Sequence, residues 1–101
     1  MYNIKIDQDA LNDLTQIVKW YNYQLENLGL RFHKQVKTQI NSLKNHPHIC
    51  NIRYENIRCM IVKKFPFMIH YSVNEELNLV EIFSIFHTSR TPEIWNSRTK
   101  R

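Results

Sequence analysis

The feature that most restricts the fold of this chain is a set of three apolar runs separated by short polar breaks, between Asn56 and Arg98. The first is Ile57-Arg58-Cys59-Met60-Ile61-Val62, the second begins at Phe67 and runs through Met68-Ile69-His70-Tyr71-Ser72-Val73, and the third spans Leu79 to His87. The intervening breaks, Phe65-Pro66-Phe67 and Asn74-Glu75-Glu76-Leu77-Asn78, are turn chemistry, so the runs predict an antiparallel meander. Along the second run Ile69, Tyr71 and Val73 share a face, and along the third Val80, Ile82 and Phe86 do, with Ser84 the exception. Leu79, Phe83 and Ile85 make the other face of the third run apolar too, which predicts a central strand covered on both sides.

The upstream half supplies what packs on that sheet. Tyr2, Ile4 and Ile6 alternate with Asn3 and Lys5, the pattern of a short, half-buried strand suited to an edge. A helix is expected from about residue 8, with Asp7 or Asp9 accepting hydrogen bonds from its first turn. Ala10, Leu11, Leu14, Ile17, Val18, Tyr21, Leu25 and Leu28 then draw one stripe along it. Gly29, the single glycine, falls where the stripe ends and is expected to terminate the helix at positive φ. Phe32, Val36, Ile40 and Leu43 predict a second amphipathic helix to about Asn45, stopped by Pro47 and folded back on the first. Ile52-Arg53-Tyr54 reads as a short extended lead-in to the meander. The order β-α-α-β-β-β predicts an α+β fold: an antiparallel sheet of about four strands with an N-terminal helical hairpin packed on one face.

A chain of 101 residues, 43% hydrophobic and 23% charged, suits a single domain over its whole length. No run approaches the roughly 20 apolar residues of a membrane-spanning helix, and Met1 to Asp7 lacks a signal-peptide core, so a cytoplasmic location with no membrane partner is expected. In that compartment Cys50 and Cys59 are expected to stay reduced. The five histidines and two cysteines form no recognised zinc spacing, and no glycine-rich cradle is present, so neither metal nor cofactor is expected. The formal charge of +5 favours acidic partners, nucleic acid or protein. Arg53, Arg58, Lys63 and Lys64 cluster along the first part of the meander; Arg90, Arg98, Lys100 and Arg101 crowd the C-terminus.

His87-Thr88-Ser89-Arg90 is the most chemically suggestive group. A histidine beside an arginine suits proton transfer and stabilisation of phosphorane-like charge in a metal-free ribonuclease; it suits equally a strand end capped by His87 with Arg90 paired to a carboxylate. Lys63-Lys64 reads as a phosphate grip or a solvated rim. Trp95 with Arg98 reads as a base-stacking platform or as the closure of the sheet's open end. His70 is expected on the face away from the helices, at a surface or partner contact.

The whole chain resembles the RelE/ParE superfamily of small bacterial toxins of type II toxin-antitoxin (plasmid stabilisation) modules. The resemblance rests on Ala10 to Leu14, Trp20-Tyr21, Gly29-Leu30-Arg31-Phe32, the two strands between Ile57-Arg58 and Tyr71 with their Phe65-Pro66 turn, and Phe86-His87-Thr88-Ser89-Arg90-Thr91-Pro92 leading to Trp95 and Arg98. It implies a toxin neutralised by a cognate antitoxin, an acidic segment of which lies across the basic sheet face and touches Arg58, His87 and Arg90, in a toxin-antitoxin hetero-oligomer. In the branch similar to RelE, which cleaves messenger RNA in the ribosome, the middle strand typically begins with an arginine ahead of an apolar-x-Tyr pattern. Here Met68 stands before Ile69-His70-Tyr71. That departure, the long hairpin and a last strand ending in His87 resemble the ParE branch, which implies poisoning of DNA gyrase. The alternative is a metal-free endoribonuclease acting with Arg58, Lys63, His87 and Arg90; a third is a non-toxic binding remnant held by its antitoxin. Arg53, Tyr54, Lys64, His70, Trp95 and Arg98 are then contacts for target or antitoxin.

Overall fold

The computed structural model describes residues 1–89. Its elements are β1 (Asn3–Ile6), α1 (Gln8–Gln24), α2 (Leu28–Ser42), β2 (Ile52–Tyr54), β3 (Ile57–Ile61), β4 (Phe67–Asn74) and β5 (Leu79–His87). The sheet has five strands in the order β1-β5-β4-β3-β2, not the expected four. The additional strand is β2, where a Glu55 in left-handed conformation (φ 48°) folds Tyr54 back onto Ile57. Three residues with a register shift carry too little periodicity to be recognised in sequence. The meander β3-β4-β5 is antiparallel, and β1 joins β5 in parallel as an edge strand.

The two helices cover one face of this sheet. Their stripes meet the strands in a core of Ala10, Tyr21, Phe32, Val36, Ile40 and Leu43 against Ile69, Tyr71, Val80, Ile82 and Ile85. Ile85 stands with Val80 and Ile82 because β5 carries one extra residue: His70 pairs with Ser84 but Tyr71 with Ile82, leaving Phe83 bulged. A bulge of one residue inverts the side-chain alternation beyond it. Phe86, expected beside Val80 and Ile82, therefore lies on the opposite face with Met68, and Ser84 falls there too.

Two expectations for the helices are corrected. Asp7 sits at the cap position of α1 with extended backbone, yet its carboxylate makes no bond to the first turn; its backbone N–H donates to Ile82 O at 2.9 Å, continuing the β1-β5 ladder. The helix does not end at Gly29. It ends at Gln24, the chain turns through Asn27 at φ 67°, and Gly29 lies in the first turn of α2, which ends at Ser42. The glycine is required by contact rather than by φ: a Cβ there would stand 2.2 Å from Val18 O and 2.7 Å from Asn22 Cγ. Its N–H donates to Asn22 Oδ1 at 2.8 Å, so the open start of α2 is capped from α1.

Candidate functional site

The polar end of the sheet is built where β4 begins and β5 ends. Phe67 is opposite His87 in the ladder, and their rings meet edge-on with centroids 5.2 Å apart. Thr88 N–H donates to Pro66 O at 3.0 Å, which ties the chain after β5 to the β3-β4 turn. His87 Nδ1 accepts the Ser89 backbone N–H at 3.1 Å and lies 2.8 Å from Ser89 Oγ. With Nδ1 accepting, the neutral ring carries its proton on Nε2.

Two cavities meet at His87. One, about 350 Å³, lies under the first half of α1 and is lined by Asp9, Asn12, Asp13, Gln16, Phe67 and Ile85 among others. β1 has ended by this level, and Asp13 Oδ2 accepts the Ile85 N–H at 3.0 Å from the helix instead. The other cavity, about 310 Å³, is lined by Trp20, Tyr21, Pro66, Phe67 and His87.

Lys63 and Lys64 are exposed in the β3-β4 turn at the same end of the sheet. That turn is fixed to α2 through Gln39, whose Oε1 accepts the Lys63 N–H at 2.8 Å while its Nε2 donates to Ile61 O at 2.8 Å. Arg58 is elsewhere. It pairs with Tyr71, four ladder positions from Phe67, which is about 13 Å along the strand. Its side chain lies on the helix-bearing face, where its guanidinium donates to Cys50 O at 2.5 Å. Tyr71 Oη donates to Pro47 O at 3.0 Å, so the two neighbours hold the loop that follows α2. Arg90, Trp95 and Arg98 lie outside the described residues. Of the four residues offered as a nuclease set, the fold thus gathers Lys63 and His87 at one end and holds Arg58 apart.

The face away from the helices carries a cluster that the sequence did not announce. His70, expected at a surface or partner contact, is fully buried there between Tyr54 and Phe86, with ring centroids 5.8 Å and 5.3 Å away. Tyr54, offered as a contact, is half-buried, and its hydroxyl lies 3.1 Å from His70 Nδ1, with Cys59 Sγ 3.4 Å from the same atom. Arg53 borders the cluster with Nη1 3.8 Å from Met68 Sδ. Ser84 Oγ is buried in it with no hydrogen-bond partner among the described residues. The signal missed was the β2 turn, which swings Tyr54 over a strand whose alternation alone left His70 facing solvent.

Burial raises the Tyr54 phenol, with the neighbouring Cys59 and Glu55 adding to it, so the hydroxyl beside His70 Nδ1 stays protonated. Burial likewise pushes the Cys59 thiol from 9.0 to about 11, against the opposing pull of the Arg53 guanidinium. Both shifts make the folded state hold protons longer than the unfolded chain, so the stability they contribute is complete below about pH 9 and declines as pH rises through 11. For Cys59 alone the loss is about 1 kcal/mol, because partial solvent access screens the effect of burial. Urea midpoints measured across pH 7.5 to roughly 11 should hold level and then fall; a midpoint that rises with pH contradicts the burial described.

Among the described residues no helix is long and apolar enough to cross a membrane. Residues 4–92 match the family model described as the ParE toxin of type II toxin-antitoxin systems, parDE. No curated protein matches the chain. Among solved structures, the chain is similar to one described as the chromosomal ParDE system of P. aeruginosa, at 18% identity and TM-score 0.74, over 86% of this chain and 96% of that one. It is similar also to the intact E. coli RelBE toxin-antitoxin complex, at 18% identity and TM-score 0.69, over 89% of this chain and 100% of that one. Isolated E. coli RelE matches at 19% identity and TM-score 0.69, over 100% of this chain and 98% of that one. At these identities the likenesses speak for a common fold, whereas the family match spans most of the sequence: the chain belongs to the ParE toxin family of type II toxin-antitoxin systems.

Proposed function

We propose that this toxin arrests growth by poisoning DNA gyrase and is silenced by a cognate antitoxin that covers the His87 end of the sheet. The observation that carries the choice of target is the position of Arg58. A metal-free ribonuclease needs its proton-transfer and charge-stabilising groups within hydrogen-bond reach of one phosphate. Arg58 is about 13 Å along the ladder from the Phe67-His87 pair, one strand further across the sheet, and bonded to a loop carbonyl. His87 is also poorly suited to act as a base, because its accepting nitrogen is taken by the Ser89 N–H. Family membership on the ParE side and Met68 at the strand start support the same target.

The deciding experiment adds purified toxin to gyrase with relaxed plasmid, and in parallel to translating ribosomes. Arrested supercoiling with unchanged message is the expected outcome. Ribosome-dependent cuts in mRNA that vanish in His87→Ala would replace this reading with the endoribonuclease. Unimpaired growth when the toxin is induced without its antitoxin would leave only the binding remnant.

A further inference from the structure

The cavity between α1 and the β3-β4 turn is lined by aromatic rings and a proline. Trp20 forms one wall and is 56% exposed, held by an edge-on contact with Tyr21 at 5.0 Å. Pro66, Phe67 and His87 complete the lining. Apart from the Tyr21 phenol and the His87 ring the walls are hydrocarbon or arene. A cavity of about 150 Å³ accommodates benzene, so about 310 Å³ leaves room for a phenyl or an indole group. Lys63 and Lys64 project from the adjoining turn, whose backbone Gln39 fixes to α2.

From this juxtaposition we infer that the Trp20–Pro66 pocket is an anchor site for one large apolar side chain, phenylalanine, leucine or tryptophan, in an acidic peptide segment whose carboxylates meet Lys63 and Lys64. The inference rests on the toxin reading for its source: the segment is part of the antitoxin. A nucleobase fits the volume but not the walls. Each base edge presents several donors and acceptors, and groups enclosed here without partners would be penalised by about 1–3 kcal/mol apiece; His87 Nδ1 is already engaged. A phenylalanine or leucine anchor leaves no such groups behind, and a tryptophan only its one indole N–H. Its neighbours in an extended peptide follow at about 3.3–3.6 Å per residue, which brings flanking carboxylates to the lysines of the turn. The fixed turn limits the ordering entropy lost when they meet.

A displayed library of random peptides, selected on the intact toxin, tests this. The expected result is enrichment of sequences with one aromatic residue or leucine flanked by aspartate or glutamate. Their affinity should fall at least about tenfold, the loss typical of a buried anchor, in Trp20→Ala. A comparable fall is expected in the Lys63→Glu/Lys64→Glu pair, whose exposed turn positions leave the core untouched. Enriched peptides that bind either variant as tightly as the parent overturn the inference, as does a selection with no acidic-apolar pattern. Binding of labelled oligouridylate that depends on Trp20, without peptide binding, reassigns the pocket to RNA. Failure of the parent toxin to arrest gyrase sinks the gyrase reading and leaves the peptide result standing, so the two are separable.

Discussion

Replacing Gly29 with alanine is expected to destabilise the protein by about 3 kcal/mol, although alanine is the better helix former by about 1 kcal/mol. The added methyl would sit 2.2 Å from Val18 O and 2.7 Å from Asn22 Cγ and Oδ1, both on α1. Neither can move freely. Val18 O belongs to the helix backbone, and Asn22 Oδ1 accepts the Gly29 N–H, so any shift that admits the methyl also uncaps α2. Overpacking of about 1–3 kcal/mol and loss of a cap of about 1 kcal/mol together exceed the gain in propensity. For a domain of this size the melting temperature should drop by roughly 10–20 °C. Asn22→Ala, which removes the cap and part of the obstacle, should lose only about 1 kcal/mol, and the double variant should be less impaired than the sum. Thermal melts in which Gly29→Ala equals or exceeds the parent would show that the helices do not approach as closely as described.

A loss of similar or larger size is expected from Phe32→Ala, at about 4 kcal/mol. Phe32 has no exposed surface, and its ring stands 5.4 Å from Tyr21, 5.0 Å from Phe65 and 5.4 Å from Phe67. The cavity opened by truncation has no neighbour able to collapse into it, since Phe65 and Phe67 are anchored in a turn and a strand. For a small domain that loss is a large share of total stability. Trp20→Ala removes a bigger side chain one turn of packing away, yet should change stability by less than about 1 kcal/mol, because more than half of the indole faces water. Denaturant unfolding of the two variants therefore separates a ring that holds the core from a ring that lines a surface pocket. Equal effects would contradict the assignment of Trp20 to partner binding.

The contrast marks what the sequence conveys and what it withholds. The amphipathic stripe from Ala10 to Leu28 and the repeat Phe32, Val36, Ile40, Leu43 announce the helical hairpin, because burial of one face leaves a period in the residues themselves. The meander is legible for the same reason. Gly29 stands out in the sequence, but glycine at a helix junction has two uses, positive φ and close approach, and only coordinates distinguish them. The Phe83 bulge and the β2 turn leave no periodic trace, so alternation alone puts Phe86 on the wrong face and leaves His70, on the right face, without the cover that Tyr54 gives it. At the candidate site, the neighbourhood of His87 and the lysine turn follows from strand order, whereas Arg58 looked like part of a basic cluster until the register put it beside Tyr71. The Trp20 pocket was invisible for a different reason: Trp20 falls outside the stripe of α1, and Pro66 read only as a strand breaker.

Because β1 pairs with β5 alone, and Asp13 bonds to Ile85 across 72 positions, the earliest segment made has no ladder partner until the final described strand emerges. During synthesis the hairpin can coil early, but the part of its apolar face that meets β5 stays uncovered until Leu79 to His87 arrive, a long closure of the kind that slows folding. A translation product cut off before Leu79 lacks both the lid for that side and the His87 end itself. Premature fragments thus lack the pairing that closes the sheet, and only molecules translated through the last strand complete the fold.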